Sequence, residues 1–294
     1  MRWAQNIIAA SVREARQVET ATTAQVTVIR PPKGWIPINL RELWAYRELL
    51  YFLTWRDIKI RYKQTVLGFA WAILQPLFMM VVFSLFFGTL AKLPSEGIPY
   101  PLFSFAALLP WTLFASGMTR SSNSLVADAN LIQKVYFPRL IMPLASVLAP
   151  LVDFLIAFVV LIAMMFYFGY TPGVTMLWLL PFILLELVFA LGVGLWLSAI
   201  NVQYRDVGYT VPFLVQLGLF VSPVVYPSTM LPEQFQAVYG LNPMAGVIEG
   251  FRWALLGTEP PGYLIAASTG IAVLILVTGI FYFRRRERAF ADVV

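Results

Sequence analysis

The chain has 294 residues, of which 60% are hydrophobic and only 12% are charged, and its mean hydropathy is +0.75. This composition excludes an ordinary soluble globular protein and indicates an integral membrane protein. Cysteine and histidine are both absent, which excludes disulfide scaffolds, thiolate metal sites and histidine-based catalysis. The formal net charge of +6 is explained below by membrane topology, so it does not imply nucleic acid binding.

Residues 1–40 are predicted to form a cytoplasmic arm. The best apolar run before residue 48, Ile7–Ala10, is too short for a signal peptide, and the prolines and glycine of residues 31–37 interrupt regular structure. We therefore expect the amino terminus to stay on the cytoplasmic side. Residues 41–290 would form the transmembrane domain, and residues 291–294 a short cytoplasmic tail.

An amphipathic interface helix is predicted ahead of the first crossing, over about residues 41–62. Four apolar residues are spaced three, four and three positions apart and share one helical face, with charged residues opposite. A helix of this kind lies in the membrane interface. The apolar face consists of Leu43, Tyr46, Leu50 and Leu53.

Six uncharged stretches predict six transmembrane helices, because a helical crossing takes roughly 20 apolar residues. From Leu140 to Ile200 the only charged residues are Asp153 and Glu186. The fold class is therefore an all-α integral membrane protein. The predicted spans are residues 66–90, 102–118, 145–168, 174–200, 207–226 and 262–283.

The basic residues indicate the orientation of these spans. Of the 21 lysines and arginines, only Lys92 and Arg252 fall on the side opposite the termini. Such a bias places the basic side in the cytoplasm, so both termini are predicted to be cytoplasmic. The other 19 lie in residues 1–65, 119–139, 201–206 and 284–294.

The segment Pro227–Pro261, between the fifth and sixth spans, is too apolar for a solvated loop. Proline stands where each of two helices would begin and glycine where each would end. This pattern predicts helices at about 232–240 and 243–257 that form a re-entrant hairpin in the outer leaflet. Non-helical joints at that depth are tolerated only inside protein or beside a water-filled path, so the hairpin is a candidate outer gate.

Several stretches resemble one family, in the same order along the chain. The run Trp55–Gly68, followed by Trp71 and Gln75-Pro76, is similar to the start of the transmembrane subunit of bacterial polysaccharide ABC exporters. These proteins export O-antigen, capsule or teichoic acid polymers. The resemblance extends over about residues 45–290 and includes Leu131–Arg139, Tyr204–Val207, Pro212-Phe213, Ser222–Tyr226, Asn242-Pro243 and Phe251-Arg252.

The resemblance implies a homodimer that encloses a channel for a lipid-linked polysaccharide in the inner (cytoplasmic) membrane. It also implies two copies of a separate cytoplasmic ATPase subunit. The chain lacks the G-x-x-x-x-G-K-[ST] phosphate loop, so ATP and Mg²⁺ are expected on that partner. We expect no catalytic residue, metal site or cofactor in this chain, whose other contacts would be membrane lipids.

The same resemblance indicates where the ATPase would dock. Its contacts would come from the interface helix, from the cytoplasmic loop 119–139 with a short coupling helix at 128–133, and from residues 203–206. The candidate coupling residues are Arg56, Asp57, Asp128, Leu131, Ile132, Gln133, Arg205 and Asp206.

Aromatic residues are the candidates for the channel and its gate. Sugar rings have apolar faces and a hydroxyl edge, so a conduit for them benefits from aromatic rings and hydrogen-bonding groups. For any single ring, an aromatic belt facing lipid head groups is the alternative. The candidates are Trp71, Tyr100, Phe103, Trp111, Phe114, Phe220, Tyr226, Tyr239, Phe251 and Trp253.

Asp153 and Glu186 leave a rival function open. Acidic residues within a span are costly and often functional, so a proton-coupled carrier that uses both is one alternative. The other interpretation is that each acid is buried and hydrogen-bonded to a neighbouring helix, or faces a wet lumen. This interpretation is favoured because no basic residue is expected at the same depth. An ABC exporter of another lipid or small molecule stays open, whereas the sparse acids of the outer loops disfavour a membrane glycosyltransferase.

Overall fold

The computed structural model describes residues 40–63, 68–232, 235, 239–287 and 290, and these residues are helical with no β-strand among them. Short non-α turns also occur: a π-helix at Ser84–Leu90 and 3₁₀ turns at Val174–Trp178 and Ser228–Met230. The α-helices of the described residues are α1 (Leu40–Ala45), α2 (Arg47–Lys63), α3 (Ala70–Phe83), α4 (Tyr100–Ala127), α5 (Ala129–Lys134), α6 (Ile141–Leu148), α7 (Leu151–Tyr167), α8 (Leu179–Gln203), α9 (Val207–Val221), α10 (Pro243–Leu256) and α11 (Gly262–Arg286).

Five helical stretches are long and apolar enough to cross a membrane: Ala70–Leu90, Tyr100–Ala127, Ile141–Tyr167, Val174–Gln203 and Ile265–Arg286. They correspond to five of the six predicted spans. The predicted fifth span contains α9, which is apolar but only 15 residues long. The all-α membrane architecture is thus confirmed, whereas the sixth crossing stays a prediction.

At three places the helices of the structure differ from the stretches predicted from the sequence. Helix α4 continues past residue 118 to Ala127, and Ser122 and Ser124 in this extension donate to carbonyls of their own helix. Helix α9 ends at Val221 instead of residue 226. The predicted interface helix is two helices, α1 and α2, separated at Tyr46.

Helix α4 is the centre of the bundle. The apolar window of α4 is 78% buried, compared with 17–33% for the other four spanning stretches. It packs against α8 most extensively, and also against α3, α6, α7, α9 and α10. Helices α3, α6, α7, α8, α9 and α10 therefore surround α4, whereas α11 packs against α8 and α10.

Small residues allow α8 to approach its neighbours closely. In the sequence, Ala190, Gly194 and Ser198 recur every fourth residue, a pattern that predicts close helix packing. The structure confirms this packing, because a Cβ on Gly117 of α4 would lie 3.6 Å from the Cβ of Ala190. A similar stripe on α11 ends at Gly270, where an added Cβ would meet no atom of this chain within 4 Å. Helix α11 instead contacts α8 through Gly192.

The apolar face predicted for the interface helix packs against protein. Leu53 is buried, and Leu43, Tyr46 and Leu50 contact a cluster that includes Ile141. The exposed face of α1 and α2 is also aromatic. It carries Trp44, Tyr51, Phe52 and Trp55.

Helix α10 matches the second predicted helix of the hairpin. The side chain of Asn242 caps its first turn by accepting a hydrogen bond from the Met244 backbone N–H at 3.0 Å. Gly257 ends the helix with a φ of +73°, a conformation that glycine adopts without strain. The predicted first helix, 232–240, lies largely outside the described residues.

Replacing Gly192 with alanine is expected to disrupt the packing of α8 against α11. The added Cβ would lie 2.7 Å from the backbone nitrogen of Leu276, so the helices must separate, at a cost of about 1–3 kcal/mol. Gly270→Ala on α11 is the matched control. Thermal unfolding in detergent should show a lower Tm for Gly192→Ala alone, and equal Tm values for the two variants would contradict this packing.

Candidate functional site

A cavity of about 320 Å³ lies among α3, α4, α7 and α9. We call it the tryptophan cavity, because two indole rings line it. Trp71, Gln75 and Gln216 are exposed, so the cavity opens at the surface of the single chain. The indole, amide and hydroxyl side chains in its lining are Trp71, Gln75, Trp111, Thr112, Ser116 and Gln216, and the charged ones are Arg61 and Asp153.

The lining combines flat apolar surfaces with neutral hydrogen-bonding groups. Trp71 and Trp111 provide the aromatic faces, while two glutamine amides and two hydroxyls provide donors and acceptors. Fixed charge is limited to Arg61 and Asp153, which pair with each other. A surface of this kind can bind a neutral polyhydroxylated ligand without strong electrostatic retention.

Asp153 has the basic partner that the sequence analysis did not expect. Its carboxylate forms an ion pair with Arg61 and accepts a hydrogen bond from the Tyr62 hydroxyl. Burial, and next the bond with Asp153, raises the pKa of Tyr62, so this hydroxyl stays a neutral donor. The expectation was wrong because Asp153 stands in the first turn of α7, within reach of the end of α2.

Glu186 is fully buried in α8 and is separate from the tryptophan cavity. Within the described residues, neither of its carboxyl oxygens has a hydrogen-bond partner. Asp153 therefore lines the tryptophan cavity and Glu186 does not.

The predicted channel aromatics fall into three groups. Trp71 and Trp111 line the tryptophan cavity. Phe103, Phe114 and Phe251 are buried in the core of the chain, where Phe114 stacks on Phe189 with centroids 4.8 Å apart. A ring in such a position supports the fold and does not contact a ligand in this conformation.

The remaining predicted aromatics contact the segment after α9, belong to α10 or lie on the surface. The Tyr100 hydroxyl donates to the Val225 carbonyl at 2.7 Å, and the Tyr239 hydroxyl to that of Tyr226 at 3.3 Å. The Trp253 ring packs 5.9 Å from that of Trp178. Phe220 is 52% exposed on α9.

Arg56 joins the interface helix to the predicted coupling region. Its guanidinium donates to both carboxyl oxygens of Asp128, at 2.8 and 2.6 Å, and to Asp57 at 2.9 and 3.0 Å. Hydrogen bonding to Asp128 is the main influence that raises the pKa of Arg56. The carboxylates of Asp57 and Asp128 therefore bind one guanidinium, and the planar shape of that group allows the parallel bonds to Asp128. We call this arrangement the Arg56 fork.

The short helix expected at residues 128–133 is confirmed as α5, Ala129–Lys134. Asp128 is the residue immediately before α5, so its pairing with Arg56 attaches the start of α5 to α2. Ile132 is buried, Leu131 is half-buried and Gln133 is exposed. The other predicted coupling residues, Arg205 and Asp206, are exposed in the turn between α8 and α9.

A second polar contact holds the segment after α5, and sequence reasoning missed it. The backbone N–H of Arg139 donates to the Glu287 carboxylate at 3.2 Å, and the Arg139 guanidinium bonds to the Glu287 carbonyl. Glu287 also pairs with Arg284 at 2.7 Å. The only signal in the sequence is a single acid within an arginine run, which does not identify its distant partner.

Comparison with known proteins identifies one family, both by sequence profile and by individual relatives. The sequence profile described as ABC-2 type transporter matches residues 48–256. An O-antigen export system permease protein of Klebsiella pneumoniae is 32% identical over 250 residues, covering 84% of this chain and 95% of that protein.

Two further relatives cover similar lengths. An O-antigen export system permease protein of Myxococcus xanthus is 31% identical, over 85% of this chain and 97% of its own length. A polysialic acid transport protein of Escherichia coli is 27% identical, over 80% of this chain and 92% of its own length. With its apolar helices, the chain is therefore a multi-pass membrane permease that belongs to the ABC-2 type transporter family, whose membership implies association with an ATPase subunit.

Proposed function

We propose that this chain is the channel subunit of an ATP-driven exporter that moves a lipid-linked polysaccharide, of the O-antigen kind, out of the cytoplasm across the inner membrane. Two copies would enclose the channel, and each would dock one ATPase subunit that binds ATP and Mg²⁺. The observation that carries the proposal is the tryptophan cavity, with its paired indoles and neutral polar edges. The relatives named for O-antigen and polysialic acid transport support the substrate class.

The open side of the cavity supports the homodimer. Helices α3 and α9 border the cavity and expose large apolar side chains, including Phe78 and Phe213. A second copy facing these helices would close the cavity into a conduit. A glycan would then pass between aromatic faces while amides and hydroxyls exchange hydrogen bonds with its hydroxyl groups.

The sixth crossing would consist of α9 together with the hairpin. A helix of 15 residues is about 22 Å long, which is shorter than the hydrocarbon core of about 30 Å. The buried non-helical residues 222–225 and helix α10 would complete the outer half. With six crossings, the basic segments and both termini are cytoplasmic, and α1 and α2 lie in the inner interface, where exposed tryptophans such as Trp44 are favoured.

Energy would enter through α5. The Arg56 fork connects α5 to the interface helix, so a push by the ATPase on one element reaches the other. Gln133, Arg205 and Asp206 are exposed and are available for direct contact with that subunit. The chain itself would perform no covalent chemistry.

The direct test is export by the reconstituted complex. Sealed vesicles containing this chain and its ATPase should accumulate lipid-linked polysaccharide in their lumen when ATP is supplied outside. An ionophore that collapses the proton gradient should leave that rate unchanged. Movement that follows the proton gradient without ATP would favour the carrier that uses Asp153 and Glu186.

Alanine in place of Trp71 or Trp111 is expected to weaken glycan binding in the cavity. Loss of one stacking surface corresponds to about 1 kcal/mol, or roughly a fivefold rise in the glycan concentration that half-saturates export. Trp44→Ala, which removes an exposed indole outside the cavity, is the control. If all three variants export like the unchanged chain, the cavity is not the conduit.

Removal of the Arg56 fork is expected to uncouple ATP hydrolysis from export. Arg56→Gln should lower export severalfold per ATP hydrolysed while the complex still assembles, because α5 is no longer held to α2. Lys59→Gln, on the same helix and exposed, is the matched control. The exchange Arg56→Asp with Asp128→Arg should restore part of the coupling, and unchanged export by Arg56→Gln would refute this role.

A further inference from the structure

Arg252 is an unusual residue for its position. It is one of two basic residues on the outer side, and it is fully buried in α10. A buried guanidinium carries a large desolvation penalty unless anions and acceptors surround it. The contacts of Arg252 therefore indicate its structural role.

The guanidinium connects three parts of the fold. It lies over the ring of Phe103 on α4, with Cζ 3.5 Å from the centroid. Nη2 donates to the carbonyl of Val224 at 3.1 Å, and Nη1 lies 3.6 Å from the carboxylate of Glu249, one turn earlier on α10. The carboxylate of Glu249 in turn accepts the backbone N–H of Ser228 at 3.0 Å.

Both residues of this pair thus bind the backbone of one short segment. We call residues Ser222–Ser228, from the end of α9 to the first residue of the 3₁₀ turn, the outer segment. It consists of turns and bends rather than α-helix, and most of it is buried. Because its carbonyl and N–H groups lack a helical ladder, they need partners from other elements.

Other contacts hold the same segment from different sides. The Tyr100 hydroxyl donates to the Val225 carbonyl at 2.7 Å, and the Asn242 amide donates to the Ser222 hydroxyl at 2.9 Å. The charged pair adds two points, Val224 and Ser228, at which the segment is attached to α10. Movement of α10 must therefore either carry the outer segment with it or break the pair.

The pair is incompletely satisfied in this conformation. Within the described residues, Nε and Nη1 of Arg252 are buried and have no hydrogen-bond partner. Unsatisfied buried donors cost free energy.

We propose that Arg252, paired with Glu249, is the positioning residue that holds the outer segment against α10 and so keeps the outer end of the conduit shut. This inference rests on the proposed export function, and it adds the side chains that control the gate. When the cytoplasmic elements move, α9 would pull on the outer segment, and release of the Val224 and Ser228 contacts would open the exit.

The first test separates positioning from folding. Glu249→Leu alone leaves a buried unpaired guanidinium and should lower the yield of folded protein, whereas Arg252→Met with Glu249→Leu replaces the pair by apolar groups and should restore it. The restored double variant should admit a small neutral solute into vesicles severalfold faster without ATP. Lys92→Met, which removes the other basic residue of the outer side, is the control.

Arg252→Lys provides the conservative comparison. Lysine keeps the charge beside Glu249 but lacks the planar fork that also reaches Val224. It should fold normally and leak at a rate between those of the unchanged chain and the double variant. A double variant that folds and stays as tight as the unchanged chain would overturn the proposal.

The second measurement does not depend on transport. Because the chain has no cysteine, spin labels can be placed at Met230→Cys and Glu259→Cys, which are both exposed. In the complete complex, the distance distribution between the labels should be narrow with the pair and broader in the double variant. Equal distance distributions would overturn the proposal. Because this measurement needs no transport, its outcome is distinguishable from a failure to export polysaccharide, which would rule out the proposed function.

Discussion

Polar groups in the hydrocarbon region of a membrane must find their partners inside the protein, and this constraint explains most of the structure. Regular helices satisfy the backbone along the five long apolar stretches. Where the chain leaves α-helical geometry, side chains supply the missing partners: Asn242 caps α10, and Tyr100 bonds to the Val225 carbonyl. Three buried serines of α4, Ser104, Ser122 and Ser124, bond to carbonyls of their own helix, so this central helix accommodates polar side chains.

Several charged residues are paired where elements meet, whereas the fully buried Glu186 has no hydrogen-bond partner within the described residues. Arg61 joins α2 to Asp153 at the start of α7, Arg56 joins α2 to the start of α5, and Arg139 bonds to Glu287 beyond α11. The first two contacts connect α2 to α7 and to the end of α4, which both border the tryptophan cavity. In the proposed exporter, they are the route by which movement at the ATPase surface reaches the membrane helices.

The sequence was sufficient for the parts of the fold that depend on local pattern. Apolar length predicted the spanning stretches, and proline with a terminal glycine predicted α10 almost to the residue. The small stripe at Ala190 and Gly194 predicted the contact of α8 with α4. In each case the signal lies within one helix, where composition and periodicity determine the outcome.

Pairings between distant residues could not be predicted in the same way. Tyr62 is 91 residues from Asp153 in the sequence, and nothing local indicates that α2 reaches the start of α7. Periodicity identified the face of the interface helix that carries Leu50 and Leu53, but it could not show that this face packs on Ile141 instead of on lipid. Of ten aromatic candidates, chain position alone could not separate Trp71 and Trp111, which line the cavity, from Phe103 and Phe251, which fill the core.

In the proposed exporter the glycan travels along the tryptophan cavity, which site-specific cross-linking can detect. Single cysteines at Gln75 and Gln216, which line the cavity, can be compared with cysteines at Leu155 and Val159, which are exposed on α7 outside it. With export arrested midway, a glycan carrying a thiol-reactive group should attach at Gln75→Cys and Gln216→Cys and not at the two α7 positions. Attachment at the α7 positions, or at none of the four while the glycan is trapped in the complex, would contradict the account.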